Sequence, residues 1–404
     1  MYDVGIVTTH ITPAVGFGGV LVSGARLAAA WAGVSSRKIA LCSSDASDNG
    51  AICVEDVRLG ENVTVNLYRA YWFKRWGFGP GAFFRLMALC RQSQAVYING
   101  IATWPTTLAA MICCVCRRPF VIAPRGGLMP EHVAHIRKNR PAKWAYYRLL
   151  TFPWIKRAKA LHCTGQIEAA GARACLGDVV PIVIAPNGLP LPVQPPASSS
   201  VEKGLVLAYV GRISHEKGVN TFLRIWVRVR GPNDRFVVAG ASSGAGEAIY
   251  FKEFQNIVSQ SEGAITYRGY LNGSEVNKLI ADSHFLVLPS GLDGDIRENF
   301  GIVVAEALAL GRPAMVCRGL EWDDIEDWGA GLVFDRNTNG VTAALHRAST
   351  LKTECWRRMA ESARRYAEQR LDIRVTAEQV WRAVAEHDGP KKSRGYRPSG
   401  EETL

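Results

Sequence analysis

The chain reads as an α/β protein of two halves, each a doubly wound parallel sheet, facing one another across a cleft. Three observations predict this. Short apolar strands alternate with amphipathic helices in both halves. A stretch rich in proline and serine, Leu189-Pro-Leu-Pro-Val-Gln-Pro-Pro-Ala-Ser-Ser-Ser200, separates them. At 404 residues the chain also exceeds one ordinary domain, and two of ~150–200 residues are the natural division. The expected organisation is a first domain over 1–190, a linker over 191–202 and a second domain over 203–372. A C-terminal helix over 373–386 packs back toward the first domain, and a polar tail over 387–404 is disordered.

In the first half Val4-Gly-Ile-Val7 is a short buried strand. Gly16-Phe-Gly-Gly19 is a flexible loop, and Val20 to Ala32 reads as a helix with small residues along one side. Lys38 to Cys42 and Ala95 to Ile98 are further strands, the latter ending at Asn99-Gly100. Pro105 opens a helix, where its missing N–H costs nothing. Phe120 to Ala123 is a strand followed by the loop Pro124-Arg-Gly-Gly127, and Ala160 to Cys163 and Ile182 to Ala185 complete the set. The pattern restarts after the linker. Leu205 to Val210 is a strand, Gly211-Arg-Ile-Ser-His-Glu-Lys-Gly218 a loop, and Val219 to Val229 a helix. Phe236–Ala239, Ile265–Tyr267, Phe285–Leu288 and Ala330–Phe334 are the later strands.

The most informative stretch is Glu298-Asn-Phe-Gly-Ile-Val-Val-Ala-Glu306. It follows the strand ending in Leu288-Pro289 and an open loop, and it leads into a helix stopped by Gly311 and Pro313. Glu298 therefore sits at the mouth of a strand-to-helix turn, with Glu306 two turns further on, ~10–12 Å away along the axis. That span suits an elongated polar ligand. The helix start between them offers unpaired N–H groups and a positive dipole end, which favour phosphate. Glu306 is flanked by apolar residues, where an unpaired carboxylate is costly to bury. Open α/β sheets bind ligands at the carboxyl edge that Glu298 occupies.

Charge divides unevenly. Residues 1–195 hold 21 Lys+Arg against 9 Asp+Glu, whereas residues 196–404 hold 27 of each. The excess implies an anionic partner for the first half: nucleic acid, anionic lipid or a phosphorylated acceptor. No RNA- or DNA-binding module accompanies it, so nucleic acid is not expected. The 10 cysteines show no paired metal spacing. Cys113, Cys114 and Cys116 read as small buried hydrophobes, and no metal site is expected. Scattered cysteines, and an opening Met1-Tyr-Asp-Val that runs straight into a strand, suggest a cytoplasmic protein without a leader.

These residues resemble the retaining glycosyltransferases of the GT-B fold, two Rossmann-like domains, and in particular the family 4 type that builds bacterial surface polysaccharide, lipopolysaccharide and exopolysaccharide. The resemblance runs from about Val4 to Trp381. Its landmarks occur in order: Gly18-Gly19, Pro124-Arg-Gly126, Cys163-Thr-Gly-Gln-Ile-Glu168, Pro186-Asn-Gly188, Gly211-Arg212 with Lys217-Gly218, and the Glu298/Glu306 pair.

The resemblance implies a hexosyltransferase, independent of metal and of any cofactor, whose co-substrate is a nucleotide diphosphate-sugar. Arg212 and Lys217 would clamp the diphosphate and stabilise charge on the leaving nucleotide. Glu298 would lie beside the donor sugar and Glu306 would accept from the ribose hydroxyls. Asn299, Phe300, Gly301 and Ile302 would present the helix start to sugar and phosphate. Gly18 and Gly19 would let the first domain's backbone approach the diphosphate, and Arg268 would flank the nucleobase.

Two departures stand out. Many relatives carry a histidine where this chain has Arg125, which stays protonated and offers no general base. That fits a front-face route in which the leaving phosphate takes the acceptor proton, and it equally fits Arg125 as an anchor for an acceptor phosphate. The loop Asp293-Gly-Asp-Ile-Arg297 is longer than usual and would tune donor choice. His10 follows the first strand and is expected at the acceptor side of the cleft, whereas His132 and His135 read as a solvated face.

Tyr68-Arg-Ala-Tyr-Trp-Phe-Lys-Arg-Trp-Gly-Phe78 interleaves aromatic and basic side chains, and Phe83 to Cys90 continues apolar. With a second basic cluster from Arg137 to Lys159, this suits the anionic inner face of the cell membrane and an acceptor saccharide carried on a polyprenyl diphosphate. Aromatics buried in the core with a solvated cationic rim are the alternative. Other functions to be weighed are a non-catalytic nucleotide-sugar-binding partner of a polysaccharide assembly complex, and an epimerase or phosphorylase on the same scaffold.

Overall fold

A computed structural model of the chain describes residues 1–14, 20–34, 37–192, 201–242, 245–294 and 298–385. Gly18, Gly19, most of the proline-rich linker and the tail 387–404 lie outside the described residues, as do 295–297 of the acidic loop.

The strands, in chain order, are β1 (Tyr2–Thr8), β2 (Ile39–Ser44), β3 (Ala46–Ser47), β4 (Gly50–Ala51), β5 (Val63–Tyr68), β6 (Ser93–Asn99), β7 (Phe120–Ala123), β8 (Ala160–Cys163) and β9 (Ile182–Ile184) in the first half. In the second they are β10 (Val206–Val210), β11 (Arg235–Ala239), β12 (Ile265–Tyr267), β13 (Phe285–Leu288), β14 (Ala314–Cys317) and β15 (Gly331–Phe334). The first sheet runs β5-β2-β1-β6-β7-β8-β9 and the second β12-β11-β10-β13-β14-β15, while β3 and β4 form a small separate hairpin. Neighbouring strands in both large sheets are parallel. Their central strands are buried on both faces, which is why they read as unbroken apolar runs rather than as alternation.

Two strands of the large sheets were not expected, β5 and β14, nor was the small β3–β4 hairpin. In β14 only Ala-Met-Val-Cys lies between Pro313 and Arg318. Four apolar residues are too few to distinguish a strand from the end of a helix by periodicity. Its register on β13, with Leu286 opposite Ala314, supplies what the local pattern lacks.

Strand order reverses between β1 and β6 in one sheet and between β10 and β13 in the other. Crevices open at such switch points, on the carboxyl side of the strands. The loops after β10 and β13 carry Arg212, Lys217 and Glu298; those after β1 and β6 carry His10 and Gly100. The helix Ile373–Ala385 belongs to the end of the chain yet lies against the first domain. Trp31 Nε1 donates to the Ala377 carbonyl at 2.7 Å, and the Trp31 and Trp381 rings meet edge to face at 5.6 Å.

The aromatic segment divides. Trp76 and Phe78 pack inward against Trp104 and Tyr146. Trp72, Phe73 and Phe84 are exposed to 84%, 65% and 73%. The aromatics of this stretch thus split between packed and exposed positions.

Candidate active site

The Ile302–Ala309 helix begins at Gly301, whose φ of 66° lies in the left-handed region. A Cβ there would stand 2.8 Å from Leu288 Cδ2 and 3.3 Å from Glu298 Cγ. Both conformation and space therefore demand glycine. The residue before it, Phe300, is buried against Trp322 with ring centroids 4.8 Å apart, and its carbonyl accepts from Trp322 Nε1. This wedge fixes the direction of the helix start. Ile302 is its first residue and half-buried.

Glu298 and Lys217 meet directly in an ion pair, with only 17% of each side chain exposed. Burial opposes ionisation of the Glu298 carboxyl, but the Lys217 ammonium outweighs it and holds the group below the usual carboxylate range. Arg212, from the same loop, is more than half exposed and pairs with Glu216. Its carbonyl accepts from the Tyr209 hydroxyl at 2.6 Å. Arg268 is exposed, with its backbone N–H donating to the Val238 carbonyl at 2.9 Å. Of the expected donor-site residues, Lys217 and Glu298 come together beside the helix start; Arg212 is exposed but its charge also favours ionised Glu298, and Arg268 is exposed.

Across the cleft, Asn299 Nδ2 donates to Thr164 Oγ1 at 3.2 Å, and Gly126 comes so close that an added Cβ would stand 3.1 Å from the Asn299 Cβ. Asn299 Oδ1 is buried without a hydrogen-bond partner among the described residues. Glu306 receives Arg26 Nη2 from the helix Val20–Gly33 at 2.8 Å. A third crossing is made by Glu321, whose carboxylate caps the helix Gln166–Leu176. It accepts from the N–H groups of Gln166, Ile167 and Glu168 at 2.9, 2.6 and 3.1 Å. Burial nevertheless raises its carboxyl above the ordinary value.

The Arg125 guanidinium already has three protein partners for its five N–H groups. Its Nε donates to Asn99 Oδ1 at 2.7 Å, Nη1 to Asn187 Oδ1 at 2.5 Å and Nη2 to the Tyr97 hydroxyl at 2.9 Å. The Tyr97 hydroxyl in turn donates to His162 Nδ1 at 2.7 Å, and His162 Nε2 donates to the Ala185 carbonyl at 2.9 Å. Arg125 thus terminates a buried polar chain, and its φ of 53° turns the backbone so that the Gly126 N–H donates to Glu168 Oε1 at 2.5 Å. His10 is likewise enclosed, with ring nitrogens 3.2 Å from Ser44 Oγ and 3.3 Å from the Arg75 carbonyl, and burial lowers it to about 4. At neutral pH it is an uncharged imidazole at the base of the first domain's crevice.

Sequence reasoning missed Arg26, Thr164 and Glu321. Arg26 had a signal, being the one charged side chain in Val20–Gly33. Glu321 had none, since its partners are backbone amides more than 150 residues away. Among the described residues no cluster of three or more His, Cys, Asp or Glu side chains could hold a metal ion.

Residues 204–350 match the family described as glycosyl transferases group 1. A curated relative, an uncharacterized glycosyltransferase of Methanocaldococcus jannaschii, is 26% identical over 115 residues, which make up 28% of this chain and 26% of the relative. The match therefore spans about a quarter of that protein. Among solved structures, HepE of Anabaena in complex with UDP and glucose is similar with a TM-score of 0.71 at 16% identity, over 94% of this chain and 98% of the other. Sucrose-phosphate synthase of Thermosynechococcus elongatus has a TM-score of 0.71 at 14% identity, over 94% and 97%. WaaG, a glycosyltransferase involved in lipopolysaccharide biosynthesis, has a TM-score of 0.63 at 15% identity, over 95% and 100%. The chain has the GT-B fold, and its second domain matches the group 1 glycosyl transferases.

Proposed function

We propose that the protein transfers a sugar from a nucleotide diphosphate-sugar to a saccharide acceptor with retention of anomeric configuration. The observation that carries this reading is the largely buried Lys217–Glu298 pair beside the half-buried start of the Ile302–Ala309 helix, at the strand-order reversal of the second sheet. A diphosphate lying there meets an ammonium and free N–H groups, which neutralise the leaving nucleotide without a bound metal. Arg212 needs only to exchange Glu216 for phosphate to join them. In the front-face reaction the bond from the anomeric carbon to the phosphate oxygen breaks, the acceptor oxygen bonds to the same face, and its proton passes to the departing phosphate. The ionised Glu298 sits where it accepts from the donor sugar's hydroxyls. The similarity to HepE, crystallised with UDP and glucose, supports the same class of donor.

A thermal-shift screen against UDP-, GDP- and ADP-sugars tests the reading. A true donor at a hundred times its dissociation constant adds ~2.7 kcal/mol of stability. With that donor, Glu298→Ala and Arg212→Ala each depress transfer, in buffer containing EDTA as well as without it. Transfer undiminished by both substitutions removes the site assignment.

For the acceptor we propose a saccharide on a polyprenyl diphosphate, presented at the inner face of the cell membrane. Trp72, Phe73, Phe84 and Leu149 expose apolar surface beside the exposed Lys74, Arg75, Arg85 and Arg148, the pairing that suits an anionic headgroup layer. No helix among the described residues is long and apolar enough to cross a membrane. In flotation assays the protein follows vesicles rich in anionic lipid and leaves neutral ones behind, and Trp72→Ser with Phe84→Ser weakens the association. Equal recovery with both vesicle types counts against it.

A further inference from the structure

The helix Gln166–Leu176 turns its open end toward the opposite domain. The N–H groups of Gln166, Ile167 and Glu168 have no carbonyl within the helix to meet, since its ladder starts with the Ala169 N–H on the Gly165 carbonyl at 3.1 Å. All three donate instead to one carboxylate, that of Glu321, more than 150 residues further along the chain. Glu168 does not compete for them, because its own carboxylate accepts from the Thr164 N–H at 2.7 Å, the Thr164 hydroxyl at 2.8 Å and the Gly126 N–H at 2.5 Å. A negative charge at this end of a helix also meets the positive end of its dipole.

Gly165 gives independent support. Its φ of −168° is extended backbone that any residue adopts. A Cβ built there would nevertheless overlap the Glu321 carboxylate, whose two oxygens and Cδ are the three nearest atoms it would meet. Room for Glu321, not backbone conformation, calls for glycine at this position. On its own side Glu321 adjoins Trp322, the residue that wedges Phe300 at the start of the Ile302–Ala309 helix. The carboxylate thus grips the first domain from a point fixed beside the donor turn.

We propose that Glu321 is a positioning residue that closes the cleft over the donor by seating its carboxylate on the open helix end of the opposite domain. This rests on the sugar-transfer reading above and adds to it the group that brings the two domains into reacting register. Gly165 is the seat that admits it.

Two measurements on the full chain test this, with the wild type, Glu321→Ala, Gly165→Ala and the double variant. Hydrogen exchange on peptides spanning 164–169 reads the contact and needs no substrate. The amides of Gln166, Ile167 and Glu168 exchange ~10–100-fold faster in all three variants than in the wild type. Transfer assays then show kcat/KM lowered ~10–100-fold in each single variant, the worth of hydrogen bonds to a charged group. Binding of UDP, GDP or ADP, whichever the wild type prefers, changes by no more than about 2-fold, because the nucleotide meets the second domain without closure. The double variant loses no more than either single one, since both remove the same contact. Circular dichroism secures that the variants are folded. Equal exchange in wild type and variants overturns the proposal, and so does faster exchange with kcat/KM unchanged. A parallel loss of nucleotide binding overturns it as well, because Glu321 then supports the donor turn through Trp322 rather than closing the cleft. Additive losses in the double variant do the same. If the wild type transfers sugar from none of the UDP-, GDP- and ADP-sugars, the transfer reading falls and takes the positioning role with it, an outcome distinct from unchanged exchange.

Discussion

Lys217→Met lowers kcat for sugar transfer by ~10²–10³-fold, the loss expected when a preorganised charge that faces the leaving group is removed. The change acts twice. It deletes the cation that neutralises the departing diphosphate, and it strands the Glu298 carboxylate in a site where burial already opposes ionisation. Taking one partner from a largely buried ion pair costs roughly 3 kcal/mol, because the other charge remains without compensation. The sign in pH follows. In the wild type Glu298 titrates below the ordinary range, so the stability it contributes is present above its unfolded value and disappears as pH falls through the folded one. In the variant the carboxyl titrates above the ordinary range, and the acid limb of the kcat profile moves to higher pH. Profiles with coincident acid limbs would show that Lys217 and Glu298 do not interact in the working enzyme.

Acidification from pH 7 to 4 unfolds the protein well before its carboxylates are neutralised. Burial lowers His10, His132 and His284 to about 4, and His162 to about 3. Lys143, His135 and Arg140 add to the effect at His132, Arg312 at His284 and Arg125 at His162. With folded values below the unfolded 6.5, these groups favour the folded state fully above pH 6.5 and lose that contribution as pH falls from 6.5 toward 4. His162 alone is worth on the order of 4 kcal/mol across its window. Glu321, raised by burial, shifts stability the opposite way near the carboxylate range and does not cancel four imidazoles. Thermal melts at stepped pH should therefore fall steeply over this interval, and His162→Gln should flatten the slope while lowering stability at pH 7. Parallel curves for variant and wild type would contradict the assignment.

How much of this was legible depended on the range over which each feature is determined. The helix Val219–Val229 and the strand Phe285–Leu288 are set by local periodicity and by neighbouring glycine or proline, and they stand where the residues placed them. The Glu298 turn was legible for the same reason, since a strand, a glycine-containing turn and an apolar helix follow one another between Phe285 and Ala309. What the carboxylates touch was not. Glu306 was expected to need compensation on burial, but its cation lies 280 residues earlier in the chain. Arg125 was read as a candidate phosphate anchor because it stands where relatives carry a histidine. What the sequence did not show is that three of its five N–H groups go to Tyr97, Asn99 and Asn187. Neighbours of that kind leave no local periodicity to read.

The Glu321 carboxylate resting on three amides, like the Arg26–Glu306 and Asn299–Thr164 contacts, joins the two domains through polar atoms. Each of these bonds can be exchanged for one to water when the halves swing apart, so opening uncovers no hydrocarbon at these three points. Contacts of this kind break and re-form at small free-energy cost, unlike an apolar seam.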